Sequence, residues 1–212
     1  MVGVVSYDHD AARGKLVDGL GEAGRIERES TRTALSRVPR HEFVPDRKQS
    51  DAYADRPLPI GEDQTVSAPH MVAIMTDLLA LDPEDRVLEI GTGCGYHAAV
   101  TAEIVDELES VEYHESLAET ARERLSRLGY DVEIRVGDGH EGWSEHAPYD
   151  AAYLTCAAPE IPDAIVEQVR PGGRIVAPIG TDRQRLVAAT RRPDGELDRE
   201  DHGGVRFVRM QG

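Results

Sequence analysis

The stretch Val87-Leu88-Glu89-Ile90-Gly91-Thr92-Gly93-Cys94-Gly95-Tyr96 constrains this chain more than any other. A run fit for a buried strand, Arg86 to Ile90, passes directly into glycines at alternate positions, and a helical pattern from Tyr96 to Val105 follows. Glycines let the backbone turn sharply off a strand and approach a ligand closely, so the segment reads as a βα turn of a doubly wound sheet. Further alternation supports this. Strands are expected at Leu108–Glu112, Val132–Val136, Ala151–Thr155 and Arg174–Pro178, with helices at Glu115–Leu128 and Pro162–Val169 between them. Repeated β-α-β order implies an α/β fold, a mostly parallel sheet covered by helices on both faces. Leu186–Thr190 and Val205–Val208, joined through Pro193-Asp194-Gly195, are expected to close it as a C-terminal antiparallel strand pair.

The chain ahead of Pro83 has a different texture. Residues 11–38 carry helical spacing through Leu16, Leu20, Ile26, Leu35 and Val38, with Ser30 as the expected cap of a second helix. Pro39, Pro45, Pro57, Pro59 and Pro69 then punctuate a long segment with little periodicity, the mark of a lid or binding loop. Pro69 suits the first turn of a helix whose apolar stripe is Met71, Ile74, Met75, Leu78 and Leu79. Two regions are expected within one compact domain: 1–82, helices and a lid segment, and 83–212, the ligand-binding core.

The loop chemistry narrows the ligand. The spacing is G-x-G-x-G, whereas dinucleotide folds use G-x-G-x-x-G to seat a pyrophosphate on a helix N-terminus. Glu89, just before the loop, would oppose a pyrophosphate and suit an ammonium group. S-adenosylmethionine has an amino-acid tail and a sulfonium, and no phosphate. Glu112 closes the next strand about 20 residues on, where such folds grip ribose hydroxyls. Asp138, between Gly137 and Gly139, could accept a hydrogen bond from an adenine amino group or form an ordinary Asx turn. The expected cofactor set is Glu89, Gly91, Thr92, Gly93, Gly95, Glu112, Asp138 and Gly139. An NAD-dependent oxidoreductase is disfavoured by the same spacing.

Charge excludes other classes. Among 212 residues, 24 Lys plus Arg stand against 40 Asp plus Glu, a net −16. Nonspecific binding to a nucleic-acid backbone or an anionic membrane needs the opposite sign. Lys15 and Lys48 are the only lysines. That bias fits either a GC-rich genome or a halophilic protein, because molar salt shrinks the Debye length to about 3 Å and quiets a carboxylate-dense surface. No stretch approaches the roughly 18–20 apolar residues of a membrane span. Met1–Asp10 lacks a basic region followed by an apolar core, so a cytoplasmic location is expected. Cys94 and Cys156 cannot build a disulfide framework, and the histidines show no ligand spacing, so no metal site is expected.

Several ordered segments resemble the protein-L-isoaspartate O-methyltransferase family, from about Val38 to Phe207. They are Val38-Pro39-Arg40-His41-Glu42-Phe43-Val44-Pro45, Ala52-Tyr53-Ala54-Asp55-Arg56-Pro57-Leu58-Pro59-Ile60-Gly61 and, most specific, Gln64-Thr65-Val66-Ser67-Ala68-Pro69-His70-Met71. Gly137-Asp138-Gly139, Gly142-Trp143, Ala157-Ala158-Pro159-Glu160-Ile161-Pro162, Pro171-Gly172-Gly173 and Gly204-Val205-Arg206-Phe207-Val208 continue the likeness. The resemblance implies methylation, from S-adenosylmethionine, of the α-carboxylate freed when an aged Asn or Asp reopens as isoaspartyl. The implied partners are isoaspartyl-containing proteins and peptides, and a monomer is expected.

By that resemblance Ser67 is the catalytic serine. Ser67, His70, Val205, Arg206 and Phe207 would form the substrate-binding set. A carboxylate is already a nucleophile at neutral pH, so no general base is required. A hydroxyl can orient it without neutralising it, as a cationic clamp would. The rival role for Ser67 is capping the following helix, and for Arg206 a plain position on an edge strand. Tyr53 and Trp143 read as packing residues. Asp63 stands where the family pattern leads one to expect glycine, Cys94 where it has serine and Arg209 where it has proline. Asp63 could repel a carboxylate substrate and lose a backbone angle suited to glycine. The departures leave open a catalytically weakened S-adenosylmethionine-binding paralogue, or a methyltransferase of this fold with another substrate.

Overall fold

The computed structural model describes residues 7–212, so residues 1–6 of the Met1–Asp10 stretch lie outside the described residues. Two helices come first, α1 (His9–Glu22) and α2 (Glu29–Arg37). Asp8 caps α1 by accepting from the Ala11 N–H, while α2 begins at Glu29 after Arg28, so Ser30 lies inside the helix instead of capping it. The proline-rich segment is more ordered than its sequence suggests. It holds 3-10 turns at Arg40–Phe43 and Asp46–Asp51 and a hairpin, β1 (Leu58–Gly61) with β2 (Gln64–Val66). Pro69 occupies the first turn of α3 (Pro69–Leu79), which ends as Ala80 turns left-handed.

The core alternates β3 (Arg86–Ile90), α4 (Tyr96–Ala102), β4 (Glu107–Glu112), α5 (Glu115–Leu128), β5 (Glu133–Val136), β6 (Tyr149–Leu154), α6 (Asp163–Gln168) and β7 (Val169–Ile179). Two further strands, β8 (Gln184–Arg191) and β9 (Leu197–Val205), complete a seven-stranded sheet in the order β5-β4-β3-β6-β7-β8-β9. The pairings from β5 through β7 are parallel, and β8 and β9 add antiparallel. This is the doubly wound, mostly parallel sheet with helices and a C-terminal antiparallel pair that the repeat implies. The final strand is corrected: it runs Leu197–Val205, not Val205–Val208. That stretch is an edge strand, largely exposed along its length, so it carries no apolar alternation to read.

Strand alternation divides the core in two. Val87 packs into one buried cluster with Leu35, Met75 and Ala99, while Leu88 and Ile90 pack into the other with Tyr149 and Ile165. Side chains two apart share a sheet face, so Glu89 shares Val87's face and Ile90 does not. The strand order reverses between β4 and β6 around β3, and a crevice forms outside the carboxyl ends of such strands.

Candidate active site

Two cavities meet at that edge. The first, a slot enclosing about 60 Å³, is bounded by Ile90, Gly91, Gly93, Val111, Glu112 and Gly139 among others. Gly91 has φ +95, and a Cβ there would sit 2.3 Å from Thr155 Oγ1. Only glycine fits this turn. Glu112 is buried at the slot, where its Oε2 accepts from Gly93 N–H at 2.8 Å and its Oε1 from His114 N–H at 3.0 Å. A carboxylate has about four acceptor positions, so these two bonds aim Glu112 and leave capacity for hydroxyl donors.

The slot's chemistry fits a nucleoside without phosphates. Ile90, Val111, Leu117 and Met210 supply apolar surface for a base. His114 also borders it, and its Nε2 is buried with no hydrogen-bond partner among the described residues. Ile60, Gln64 and Thr65 near the hairpin and Val208–Gln211 at the C-terminal end also line it.

The structure brings Gly91, Gly93, Glu112 and Gly139 to the slot, but not Glu89, Thr92, Gly95 or Asp138. Glu89 is fully buried and turned into the core. Its Oε2 accepts from Ser110 Oγ at 2.6 Å and its Oε1 from Tyr153 OH at 2.9 Å. The expectation that it faces a ligand's ammonium is therefore corrected, and the reason is the strand register described above. The Thr92 and Ser110 hydroxyls lie 2.6 Å apart, so Glu89 braces the glycine turn from beneath. Burial pushes the Glu89 carboxyl up to about 7. Gly95 opens α4 at φ +89, beside Leu125. Asp138 forms the turn through Oδ1, which accepts from the His140 N–H at 2.8 Å and holds the carboxyl below the usual range, while Oδ2 has no hydrogen bond among the described residues.

The second cavity is an open basin of about 720 Å³. Ser67, His70, Val205, Arg206 and Phe207 all border it, so the whole expected substrate set gathers in one place. Ala68 occupies the N-cap position of α3 with no side-chain cap bond. Ser67 thus does not cap the helix, and its Oγ has no hydrogen-bond partner among the described residues. His70 is held by Asp55, whose Oδ1 accepts from the His70 backbone N–H at 2.9 Å and from Nδ1 at 2.8 Å. Thr65, Thr155 and Val208 border both slot and basin, so the two cavities share a wall.

Three positioning residues escaped the sequence reading. Arg40 is fully buried and donates to the carbonyls of Ser67 at 3.0 Å, Arg56 at 3.3 Å and Ala52, which pins the segment that carries Ser67. Apart from the motif containing it, its only signal was a cation among the apolar residues Val38, Phe43 and Val44. Gln184 grips Phe207 twice: its Oε1 accepts from the N–H at 2.6 Å and its Nε2 donates to the carbonyl at 3.1 Å. Asp55 left no signal apart from the motif containing it. The departures lie off the basin, although Cys94 lines a small cavity with Ser67, Gly91 and Gly93. Asp63 and Cys94 do not border the basin. Arg209 borders the slot and pairs with Asp182 at 3.4 Å. Burial pushes the Cys94 thiol up and Cys156 to about 12, which keeps both thiols protonated at neutral pH. Tyr53 bonds His41 Nδ1 at 2.8 Å, and Trp143 packs under Arg135.

Comparison with known proteins places this geometry in a family. The family model for protein-L-isoaspartate(D-aspartate) O-methyltransferase (PCMT) matches residues 11–212. Protein-L-isoaspartate O-methyltransferase 2 of Archaeoglobus fulgidus is 49% identical over 209 residues, 97% of this chain and 95% of that protein. The Methanopyrus kandleri protein-L-isoaspartate O-methyltransferase is 48% identical over 208 residues, 95% of this chain and 92% of its own. A solved protein-L-isoaspartate O-methyltransferase superposes with a TM-score of 0.85 at 32% identity, covering 94% of this chain and 66% of that one.

Proposed function

Because this chain belongs to the protein-L-isoaspartate O-methyltransferase family, we propose that its slot holds S-adenosylmethionine and its basin an isoaspartyl peptide. It is a protein-repair methyltransferase that moves a methyl group from S-adenosylmethionine to the free α-carboxylate of L-isoaspartyl residues in damaged proteins and peptides. When bound, S-adenosylmethionine supplies a methyl group made electrophilic by the adjoining sulfonium.

The chain's own residues do the rest. Glu112, already aimed by two backbone N–H groups, accepts from ribose hydroxyls. Ile90, Val111, Leu117 and Met210 flank the base. Ser67, whose hydroxyl is uncommitted, donates to one oxygen of the peptide carboxylate and turns the other toward the shared wall. A neutral donor orients that carboxylate and leaves its charge available for attack. No base is needed, since a carboxylate of ordinary pKa is ionised at neutral pH. Arg40 holds the Ser67 backbone, and Gln184 holds the Val205–Phe207 segment against the peptide. Alignment of this kind is worth roughly 7–11 kcal/mol of barrier.

One observation carries the reading: Ser67 with an unpartnered hydroxyl on a basin that shares Thr65, Thr155 and Val208 with the slot that holds Glu112. The test is incubation with S-adenosylmethionine and an isoaspartyl peptide beside its aspartyl twin. Methyl ester should form on the isoaspartyl peptide alone. Cofactor binding with no ester on either peptide would favour the weakened paralogue. The net charge of −16 supports, in addition, a protein suited to high salt that stays monomeric and engages neither nucleic acid nor an anionic membrane.

A further inference from the structure

The mouth of the basin reverses the charge of the molecule. Its charged rim is Asp182, Arg183, Arg185 and Arg206, with His70 beside them. Arg185 pairs with Asp201 at 2.8 Å, Asp182 with Arg209 at 3.4 Å and His70 with Asp55 at 2.8 Å. Arg183 and Arg206 have no ion-pair partner among the described residues, and both are exposed. Lack of an ion-pair partner does not by itself single out an arginine in this chain, since others such as Arg47 and Arg199 also have none among the described residues. What sets Arg183 and Arg206 apart is their place: both are unpaired and both line the cavity that holds Ser67.

The backbone keeps this pair together. Arg183 directly precedes Gln184 and Arg206 directly precedes Phe207, and Gln184 makes two hydrogen bonds to Phe207. Gln184 and Arg185 also sit opposite Val205 and Gly204 in the β8–β9 ladder. Neither segment can drift without breaking that clamp. Ser67 on the same basin supplies a neutral donor for the reacting carboxylate, so that group does not require the two arginines.

We infer that Arg183 and Arg206 form a docking site for acidic side chains flanking the isoaspartyl residue, so that the enzyme prefers damaged sites in acidic sequence. This rests on the isoaspartyl-methyltransferase reading and adds a substrate class to it. An exposed pair contributes little singly, and two together predict a KM ratio of about three- to tenfold between Lys-flanked and Glu-flanked peptides.

Three isoaspartyl peptides identical except for Glu, Gln or Lys on both sides of the damaged residue decide the matter. With S-adenosylmethionine in excess at about 0.1 M salt, KM should rise from Glu to Gln to Lys flanks while kcat stays level. At about 1 M salt, where the Debye length falls to about 3 Å, the ratio should narrow. Arg183→Gln and Arg206→Gln should each compress it, and the double variant should bring it close to one. Equal KM values for the three peptides in the parent enzyme would overturn the inference. So would variants that weaken all three peptides by one common factor, which would put the arginine on the reacting carboxylate. Titration of the same peptides by intrinsic Trp143 fluorescence or calorimetry separates this from failure of the methyltransferase reading. If no peptide is methylated, that reading falls, and the order of the dissociation constants still decides the arginines.

Discussion

The slot and the basin share Thr65, Thr155 and Val208, yet they are assembled from different parts of the chain and in different ways. The slot takes its floor from strand ends and the turns after them, and its carboxylate and glycine turn are held before any ligand arrives, while His114 Nε2 is left without a partner among the described residues. Glu112 is fixed by Gly93 and His114, and the glycine turn is braced by Glu89 through Ser110 and Thr92. About 60 Å³ is enclosed there, against about 720 Å³ in the basin. The basin takes its walls from the proline-rich segment and the β8–β9 end of the sheet. There the backbone is pinned, by Arg40 and Gln184, while the Ser67 hydroxyl and the arginines of the mouth remain unpaired or exposed. A single small molecule can be met by a fixed shape. A damaged residue in any sequence context needs a fixed backbone carrying adaptable side chains.

If fixity of the slot comes from beneath, the largest effect should appear at Glu89, which touches no part of the slot. Its carboxyl titrates near 7 in the folded protein against 4.5 in an unconstrained chain. Between those values the unfolded chain has released a proton that the folded one retains, so rising pH favours unfolding. The stability is full below about pH 4.5 and is lost as pH climbs through 7, on the order of 3 kcal/mol in total. Glu89→Gln removes this titration. Its melting temperature should fall less than the parent's between pH 5 and pH 8, by roughly 5–10 °C for a chain of this size. His97, pushed down to about 3 by burial, slopes the opposite way below about 6.5 and is common to both proteins. Parallel curves for the two proteins would show that Glu89 is ionised throughout and would remove the buried brace from the comparison.

A paired substitution tests whether the two cavities are as separate as their construction suggests. Glu112→Ala removes a charged acceptor and releases Gly93, so S-adenosylmethionine should bind about 10- to 100-fold more weakly by calorimetry. Ser67→Ala removes a hydroxyl with no partner in the protein. It should lower kcat for an isoaspartyl peptide about tenfold, with the cofactor dissociation constant within a factor of two and the melting temperature unchanged. Loss of cofactor affinity in Ser67→Ala would mean that the slot extends across the shared wall. Unaltered cofactor affinity in Glu112→Ala would end its assignment to ribose.

The same contrast governs what could be read before folding. The slot announces itself because strand, glycine turn and strand-end acid are contiguous or regularly spaced, so Gly91, Gly93, Glu112 and Gly139 were legible one by one. Glu89 was misplaced for a reason of parity. The glycine turn shows where a strand ends, but which alternate residue faces the ligand depends on the face its neighbours bury. The basin's members lie far apart in sequence, and no periodicity links Ser67 to Arg206. Only the likeness of whole segments to a family joined them. Arg40 and Gln184 act on backbone atoms, which any sequence supplies, so nothing in their partners marks them, and no periodicity links Asp55 to the His70 ring it holds. Strand β9 was displaced because a solvated edge imposes no alternation.

The hairpin that lines the slot offers the gentlest test, because it also reaches the shared wall through Thr65. Its two-residue turn is Glu62-Asp63, with φ +49 and +55. Two left-handed residues in succession make the hairpin turn that favours glycine at its second position. Glu62 accepts from Ser116 Oγ at 2.7 Å and its backbone carbonyl from Gln64 Nε2 at 2.9 Å, which helps hold the turn. Asp63 therefore keeps the angle that its lack of glycine put in question, and does so under strain. A left-handed L-residue costs roughly 1–2 kcal/mol, less for aspartate, and glycine gives part of that back through the greater freedom of its unfolded chain. Asp63→Gly should therefore stabilise by about 0.5 kcal/mol and raise the melting temperature by about 1–2 °C. Asp63 does not border the basin, so KM for an isoaspartyl peptide should not move. A fall in KM at low salt that vanishes at high salt would instead show the Asp63 carboxylate repelling substrate, and would make the hairpin tip part of the basin.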